Sequence, residues 1–203
     1  MENLQKDKKM QAILVTSTRS YVNNASIAAD LATLVAQSGK KTILLDADLK
    51  RPVIHRFFDL PNRVGLSDIL QGKRTASAIA HSLIDGNLHI ITSGTPPDIS
   101  KEAIGSQATR DLIQQLKQEY EKIFIHGPAY FYNEAIVLAA QVDGVILVIN
   151  PSYARSEATQ TILERFQKTG STIIGIVMRE QPKYQSNQST FINQLLNYDK
   201  RIV

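Results

Sequence analysis

Two aspartates one residue apart, Asp46 and Asp48, close the short apolar run TILLD (42–46) and are followed by Lys50 and Arg51. Carboxylates at the end of a buried strand can hold a hydrated Mg²⁺ or orient a water. The alternative is that Asp46 caps its loop and pairs with a nearby Lys or Arg. A second candidate, His126, ends the run IFIH and is followed by Gly127 and Pro128. A nucleotide hydrolase needs an aspartate directly after such a run, to hold the metal through water. A neutral imidazole is a poor Mg²⁺ ligand, and His55, His81 and His89 are scattered. His126 therefore reads as a satisfied structural histidine. The third candidate is VTSTRSYVNNASIAADLA (15–32), an apolar run leading straight into a small-residue helix. Phosphate-binding loops occur in that setting. They need glycines so that backbone N–H groups can wrap the phosphates, a lysine, and a Ser/Thr for Mg²⁺. None of the ten glycines precedes Gly39, and no lysine lies between Lys9 and Lys40. The stretch has the location of a phosphate cradle and lacks its parts.

The elements that must position these residues alternate along the chain. AILVT (12–16), TILLD (42–46), LHIIT (88–92), KIFI (122–125), VILVI (145–149) and TIIGIVM (172–178) are nearly continuous apolar runs, as expected of strands buried on both faces of a parallel sheet. Helices are predicted over 26–38, 106–120, 134–140, 157–169 and 190–198, with Leu112, Ile113, Leu116 and Tyr120 on one face of the second. Asn133 and Ser156 are predicted N-caps, and Gly39 and Gly170 follow helices where a left-handed C-terminal cap is wanted. The alternation predicts an α/β three-layer sandwich with a mainly parallel central sheet, its ligands at the carboxyl ends of the strands. The 203 residues are read as one domain, with a polar tail at 1–10 and a second tail at 183–203 that carries the last helix. Segment 50–98, rich in turn residues and short helices, is read as a long crossover within that domain.

Composition narrows the functions. With 43% hydrophobic and 21% charged residues the chain is globular in type, and the absence of cysteine excludes disulfides, cysteine nucleophiles and thiolate metal sites. No apolar run approaches the ~18 residues of a membrane span, and the start MENLQKDKKM is unlike a signal peptide, so a cytoplasmic protein is expected. The net charge of +4 is spread along the chain, without a basic stripe interleaved with aromatics, and no nucleic-acid partner is expected.

The series VTS…IAADLA, ILLDADLKRPVIH, FFDLPNRVGLSDILQGK, NLHIITSGTPPD and KIFIHGPA resembles the bacterial tyrosine kinase family. These are cytoplasmic capsule and exopolysaccharide regulators of the CpsD/CapB and Wzc type, within the wider P-loop ATPase group that includes ParA and MinD. The resemblance runs from about residue 12 to about residue 178, and GLSDIL-G with the proline pair before Asp98 is its most specific part. It implies a P-loop NTPase-like fold, Mg-ATP as cofactor, and a membrane chain-length regulator whose cytoplasmic end activates the kinase.

Mapped residue by residue, the resemblance keeps the family's Asp-x-Asp as Asp46 and Asp48, with Lys50 where the family prefers arginine. In the phosphate loop Tyr21 and Asn23 stand at glycine positions, Asn24 at the lysine and Ala25 at the metal-binding hydroxyl; Ser26 keeps a hydroxyl beside it. His126 replaces the second motif's aspartate and Ala129 a later proline. The implied reading is a catalytically impaired, kinase-like regulator of polysaccharide synthesis. It would bind the chain-length regulator or an active kinase at the inner face of the membrane, with no cofactor expected. One alternative is a kinase or ATPase with altered nucleotide chemistry, holding Mg-ATP or Mg-ADP through Asn23, Asn24, Ser26, Asp46 and Asp48, the last two also as metal ligands. Another is a ParA/MinD-like positioning ATPase, which the short, weakly amphipathic helix 190–198 does little to favour. Tyr184 and Tyr198 are the candidates for the family's tail phosphorylation. MENLQKDKKM has no counterpart of the family's oligomerisation helix, so a homo-oligomer would need other contacts.

Overall fold

The computed structural model of the chain describes residues 10–19, 23–95 and 104–180. Strands β1 (Ala12–Ser17), β2 (Thr42–Asp46), β3 (His81–Leu83), β4 (Leu88–Ile91), β5 (Lys122–His126), β6 (Gly144–Ile149) and β7 (Ile173–Met178) form one sheet in the order β3-β4-β2-β5-β1-β6-β7. Neighbours are parallel except β3, which runs antiparallel to β4. The apolar runs behave as their composition demands: β1 and β2 are buried along their whole length, because helices cover both faces. Helices α1 (Asn24–Gln37) and α2 (Ile54–Phe57) pack on one face. Helices α3 (Leu66–Leu70), α4 (Ala76–Ile79), α5 (Gln107–Glu119), α6 (Asn133–Ala139) and α7 (Glu157–Lys168) contribute to the core of the other. On α1 the buried stripe is Ala28, Ala29, Ala32 and Ala36, which lets the helix lie close on the sheet. In α5, Leu112, Ile113 and Leu116 face the core as predicted, with Tyr120 just beyond the helix buried beside them.

The sequence reading needs correction at three places. Strand β3 and its hairpin to β4 were not predicted; HSL (81–83) is too short to declare a period. Helix α1 starts at Asn24, two residues before the predicted start. Asn133 is the first residue of α6 rather than its cap, and Tyr132 in the cap position makes no side-chain cap bond. Segment 50–95 holds the expected short helices, α2, α3 and α4, together with the predicted strand β4. Ser156 caps α7 as expected, its Oγ accepting from Thr159 N at 3.2 Å. Gly39 and Gly170 adopt φ of +86° and +75°. The predicted helix 190–198, Tyr184, Tyr198, Tyr21 and the proline pair at 96–97 lie outside the described residues.

Two devices hold the sheet from below and from the side. Asp143, just before β6, accepts from Gln11 N (3.1 Å) and Ala12 N (2.8 Å) at the start of β1, and from Lys117 Nζ of α5 at 2.6 Å. Burial pushes the Asp143 carboxyl up, but the Ala12 amide, Lys117 and the Gln11 amide together hold it below the usual carboxylate range. A depressed acid contributes stability above its unfolded pKa and loses it as pH falls through the folded value. Asp143→Asn is therefore expected to cost about 1.5–3 kcal/mol at neutral pH. The gap to wild type should close in strong acid, as urea titrations at pH 7 and pH 3 would show. At the side, Leu66 N and Ser67 N of α3 donate to Thr92 O and Ser93 O at 2.8 and 3.0 Å, tying the GLSDIL segment to the chain leaving β4. Asp68 Oδ2 closes the helix start by accepting from Gly65 N at 2.9 Å.

Candidate functional site

In the strand order β1 lies between β5 and β6, while the chain continues from β1 to β2 beyond β5. The direction of winding reverses there, and such a switch point is where sheets of this kind hold their ligands. The three segments named from the sequence meet at it: the loop entering α1, the end of β2 and the end of β5.

Asp46 and His126 are direct register partners at the ends of β2 and β5. Asp46 Oδ1 lies 2.9 Å from His126 Nδ1, with both side chains buried. The other carboxylate oxygen, Oδ2, accepts from Val53 N (2.9 Å) and Ile54 N (3.0 Å), and so satisfies the first amides of α2. Asp48 N donates to Oδ1 at 3.3 Å. Asp46 thus pairs with His126 across the sheet and caps the chain that follows. Asp48 accepts from Arg51 N at 3.1 Å and lies 3.5 Å from the Arg51 guanidinium. Burial raises its carboxyl above the ordinary range, against the pull of His126 and Arg51. Lys50 turns to Glu134 of α6 at 2.7 Å, its ammonium 4.5 Å from the Tyr132 ring centre.

The loop residues turn onto the protein itself. Asn24 is buried, and its side-chain amide donates to Gly127 O (2.8 Å) and Val15 O (3.3 Å), bridging the ends of β5 and β1. Asn23 caps α1 by accepting from Ser26 N at 3.1 Å. Ala25 is buried in the core beneath α1. The Ser26 hydroxyl is reached by the guanidinium of Arg179, which follows β7, and the same Arg179 lies close enough to oppose the burial-raised carboxyl of Asp30. Around the rim, Thr16 Oγ1 donates to Pro128 O at 2.6 Å and Arg19 stacks on the Tyr153 ring at 4.3 Å. Among the described residues no group of three or more His, Asp and Glu side chains is placed to hold a metal ion. No described helix is long and apolar enough to cross a membrane.

All the described candidates from the sequence therefore gather at one end of the sheet: Asn23, Asn24, Ala25, Ser26, Asp46, Asp48 and His126. Sequence reasoning missed Arg179 and Glu134. Arg179 had a signal, since it directly follows a strand at the carboxyl edge; Glu134 had none beyond its place after the β5 loop.

The sheet order, the helices on both faces and the loop–helix at the switch point define a P-loop NTPase-like α/β fold. The comparisons with known proteins agree. No family model matches the chain. It is 30% identical over 173 residues to the tyrosine-protein kinase YwqD of Bacillus subtilis, covering 85% of this chain and 73% of that protein. Over 171 residues it is 28% identical to the tyrosine-protein kinase ptk of Acinetobacter johnsonii, a longer protein of which it covers 23%. Among solved structures the chimerical protein CapA2B2 superposes with a TM-score of 0.80 at 30% identity, covering 88% of this chain and 79% of that one. The MinD protein of Pyrococcus horikoshii complexed with Mg-ADP shares the fold, with a TM-score of 0.72 at 18% identity over 92% of this chain and 77% of that one. The chain belongs to the bacterial tyrosine-protein kinase family.

Proposed function

We propose that this member of the family is a catalytically impaired, kinase-like regulator of capsular or exopolysaccharide synthesis. It acts by occupying the cytoplasmic end of a membrane chain-length regulator, or an active kinase, at the inner face of the membrane. The observation that carries the reading is Asn24. In the position where the resemblance places the phosphate lysine, its amide is consumed by Gly127 O and Val15 O. The residues present do not fit a Mg-nucleotide. The Asp46 oxygens are engaged by His126 and backbone amides, and the Ser26 amide by Asn23. The loop lacks the glycines that would let its backbone approach a phosphate. Losing one preorganised charge-stabilising group typically costs ~10²–10³ in rate. Such losses are not additive, yet several coincide here.

Calorimetric titration with Mg-ATP and Mg-ADP, beside an active relative, tests the reading. The expected result is no saturable heat, and phosphoryl transfer at least ~10³-fold below the control. Micromolar binding with phosphate turnover would overturn it. One observation favours a second reading, in which nucleotide chemistry is altered rather than lost: Arg179 brings a cation to Ser26 at the start of α1. That reading requires Arg179→Ala to abolish a nucleotide-induced rise in Tm.

A further inference from the structure

The loop between β5 and α6 sets three aromatic residues in a row, Tyr130, Phe131 and Tyr132. The outer two are engaged. The Tyr130 ring packs on Phe166 of α7 with centroids 5.6 Å apart, and its hydroxyl accepts from the Arg165 guanidinium at 3.0 Å. The Tyr132 ring faces two cations, with Lys50 Nζ 4.5 Å and the Arg51 guanidinium carbon 5.4 Å from its centre. Phe131, between them, meets the Tyr132 ring edge-on at 5.9 Å. It is 82% exposed, more than any other large apolar side chain among the described residues. The backbone fixes the turn with this side chain outward. Tyr130 N donates to Ser17 O at 2.7 Å, Tyr132 N to Ala129 O at 2.9 Å and Ala135 N to Tyr132 O at 3.1 Å.

The charges around the turn are sorted by depth. Lys50 pairs with Glu134 at 2.7 Å, the lysine side chain 43% exposed and the glutamate 9%. Arg51 pairs with Asp48 at 3.5 Å, with 42% against 6%. Each pair keeps its carboxylate inside and shows its cation to solvent. Arg165 is exposed as well. A guanidinium has five N–H donors, so one given to Tyr130 leaves a fork for a carboxylate. The surface is an apolar ring with basic groups at the residues before and after it.

We infer that this turn docks an acidic peptide segment of a protein partner, one that carries an aromatic side chain among its carboxylates. That side chain stacks on Phe131 and Tyr132, while the carboxylates reach Arg165 beside Tyr130 and Lys50 and Arg51 beside Tyr132. Aromatic residues and arginine carry much of the energy of protein interfaces. Here their places are set before a partner arrives, which lowers the ordering cost of binding. A lipid surface fits less well. It answers to overall charge, whereas the net charge of +4 is spread along the chain without a basic stripe. The inference deepens the proposed regulatory reading, on which it rests for the existence of a protein partner, and it needs no nucleotide.

The probe is a fluorescein-labelled synthetic peptide with a central phenylalanine flanked on both sides by glutamates. Its anisotropy is followed as the full-length protein is added in nucleotide-free buffer. Saturable binding that weakens with added salt is expected. Phe131→Ala should weaken it at least about tenfold while leaving Tm unchanged, since the truncated side chain is exposed. Arg165→Glu should also weaken it at least about tenfold, and should bind the peptide with lysines in place of glutamates better than wild type does. A merely structural loss cannot give that charge-swapped preference. Absence of saturable binding, equal binding by Phe131→Ala, or flotation of the wild-type chain with phosphatidylglycerol vesicles that Phe131→Ala abolishes would each overturn the inference. With no nucleotide present, these outcomes are separate from the Mg-ATP titration, which alone decides catalytic impairment.

Discussion

His126→Asp, the substitution that puts an acidic residue at the end of β5, is expected to destabilise the protein by about 3–5 kcal/mol, the cost of breaking a buried pair. The reason is geometric. An aspartate Oδ bonded to Cγ takes the place of the imidazole Nδ1, which stands 2.9 Å from Asp46 Oδ1. Two buried carboxylates at that distance cannot both ionise, and Asp48 follows in the same strand end with its carboxyl already raised by burial. His126→Asn is the informative companion. Its amide nitrogen also hangs from Cγ, can donate to Asp46, and should retain most of the stability. Guanidinium titrations of the three proteins, with and without Mg²⁺, decide the matter. Wild-type stability in His126→Asp, or its full rescue by Mg²⁺, would mean that Asp46 is a metal ligand in waiting rather than a partner of His126. An aspartate at 126 is therefore not expected to create a hydrolase site by itself, because Asp46 and the amides around it are arranged about the imidazole.

The sequence was informative to different depths. The parallel core was plain because strands buried on both faces must be apolar throughout, and TILLD or VILVI carry that in their composition. The site's location followed from the same reasoning, since Asp46, His126 and Asn24 all follow or adjoin strand ends. What the side chains do there was not legible. That Asn24 turns inward to two carbonyls depends on the separation of β1 and β5, and that Asp46 meets His126 depends on the β2–β5 register. Both are properties of strands far apart in sequence. The caps were legible where one residue decides them, as at Ser156, and misread at Asn133, where Tyr132 and Asn133 compete for the boundary. The β3–β4 hairpin escaped because a three-residue strand has no period to read.

Gly65→Ala is expected to be the most damaging single-methyl change in the described chain. A Cβ at Gly65 would stand 2.2 Å from both Gly94 N and Thr92 O, and 2.6 Å from Ser93 C. All three are backbone atoms that no rotamer change can withdraw. The segment is held against them by the Leu66 and Ser67 amides and by Asn62, which accepts from Gly94 N at 2.9 Å and donates to Gly94 O at 3.2 Å. Relief of the overlap must therefore break several hydrogen bonds together, each leaving a buried group that costs about 1–3 kcal/mol when unsatisfied. A loss of about 3 kcal/mol or more follows, equivalent to a fall in Tm of at least about 6 °C at this chain length. Gly39→Ala is the control that separates crowding from backbone strain. Nothing lies within 4 Å of its added methyl, and only φ of +86° resists it, so it should lose about 1 kcal/mol. Calorimetric scans that placed the two variants together would show that the GLSDIL segment yields as a loop. A wide gap between them would mean that it is packed as part of the sheet's edge, with the glycine there because two backbones touch.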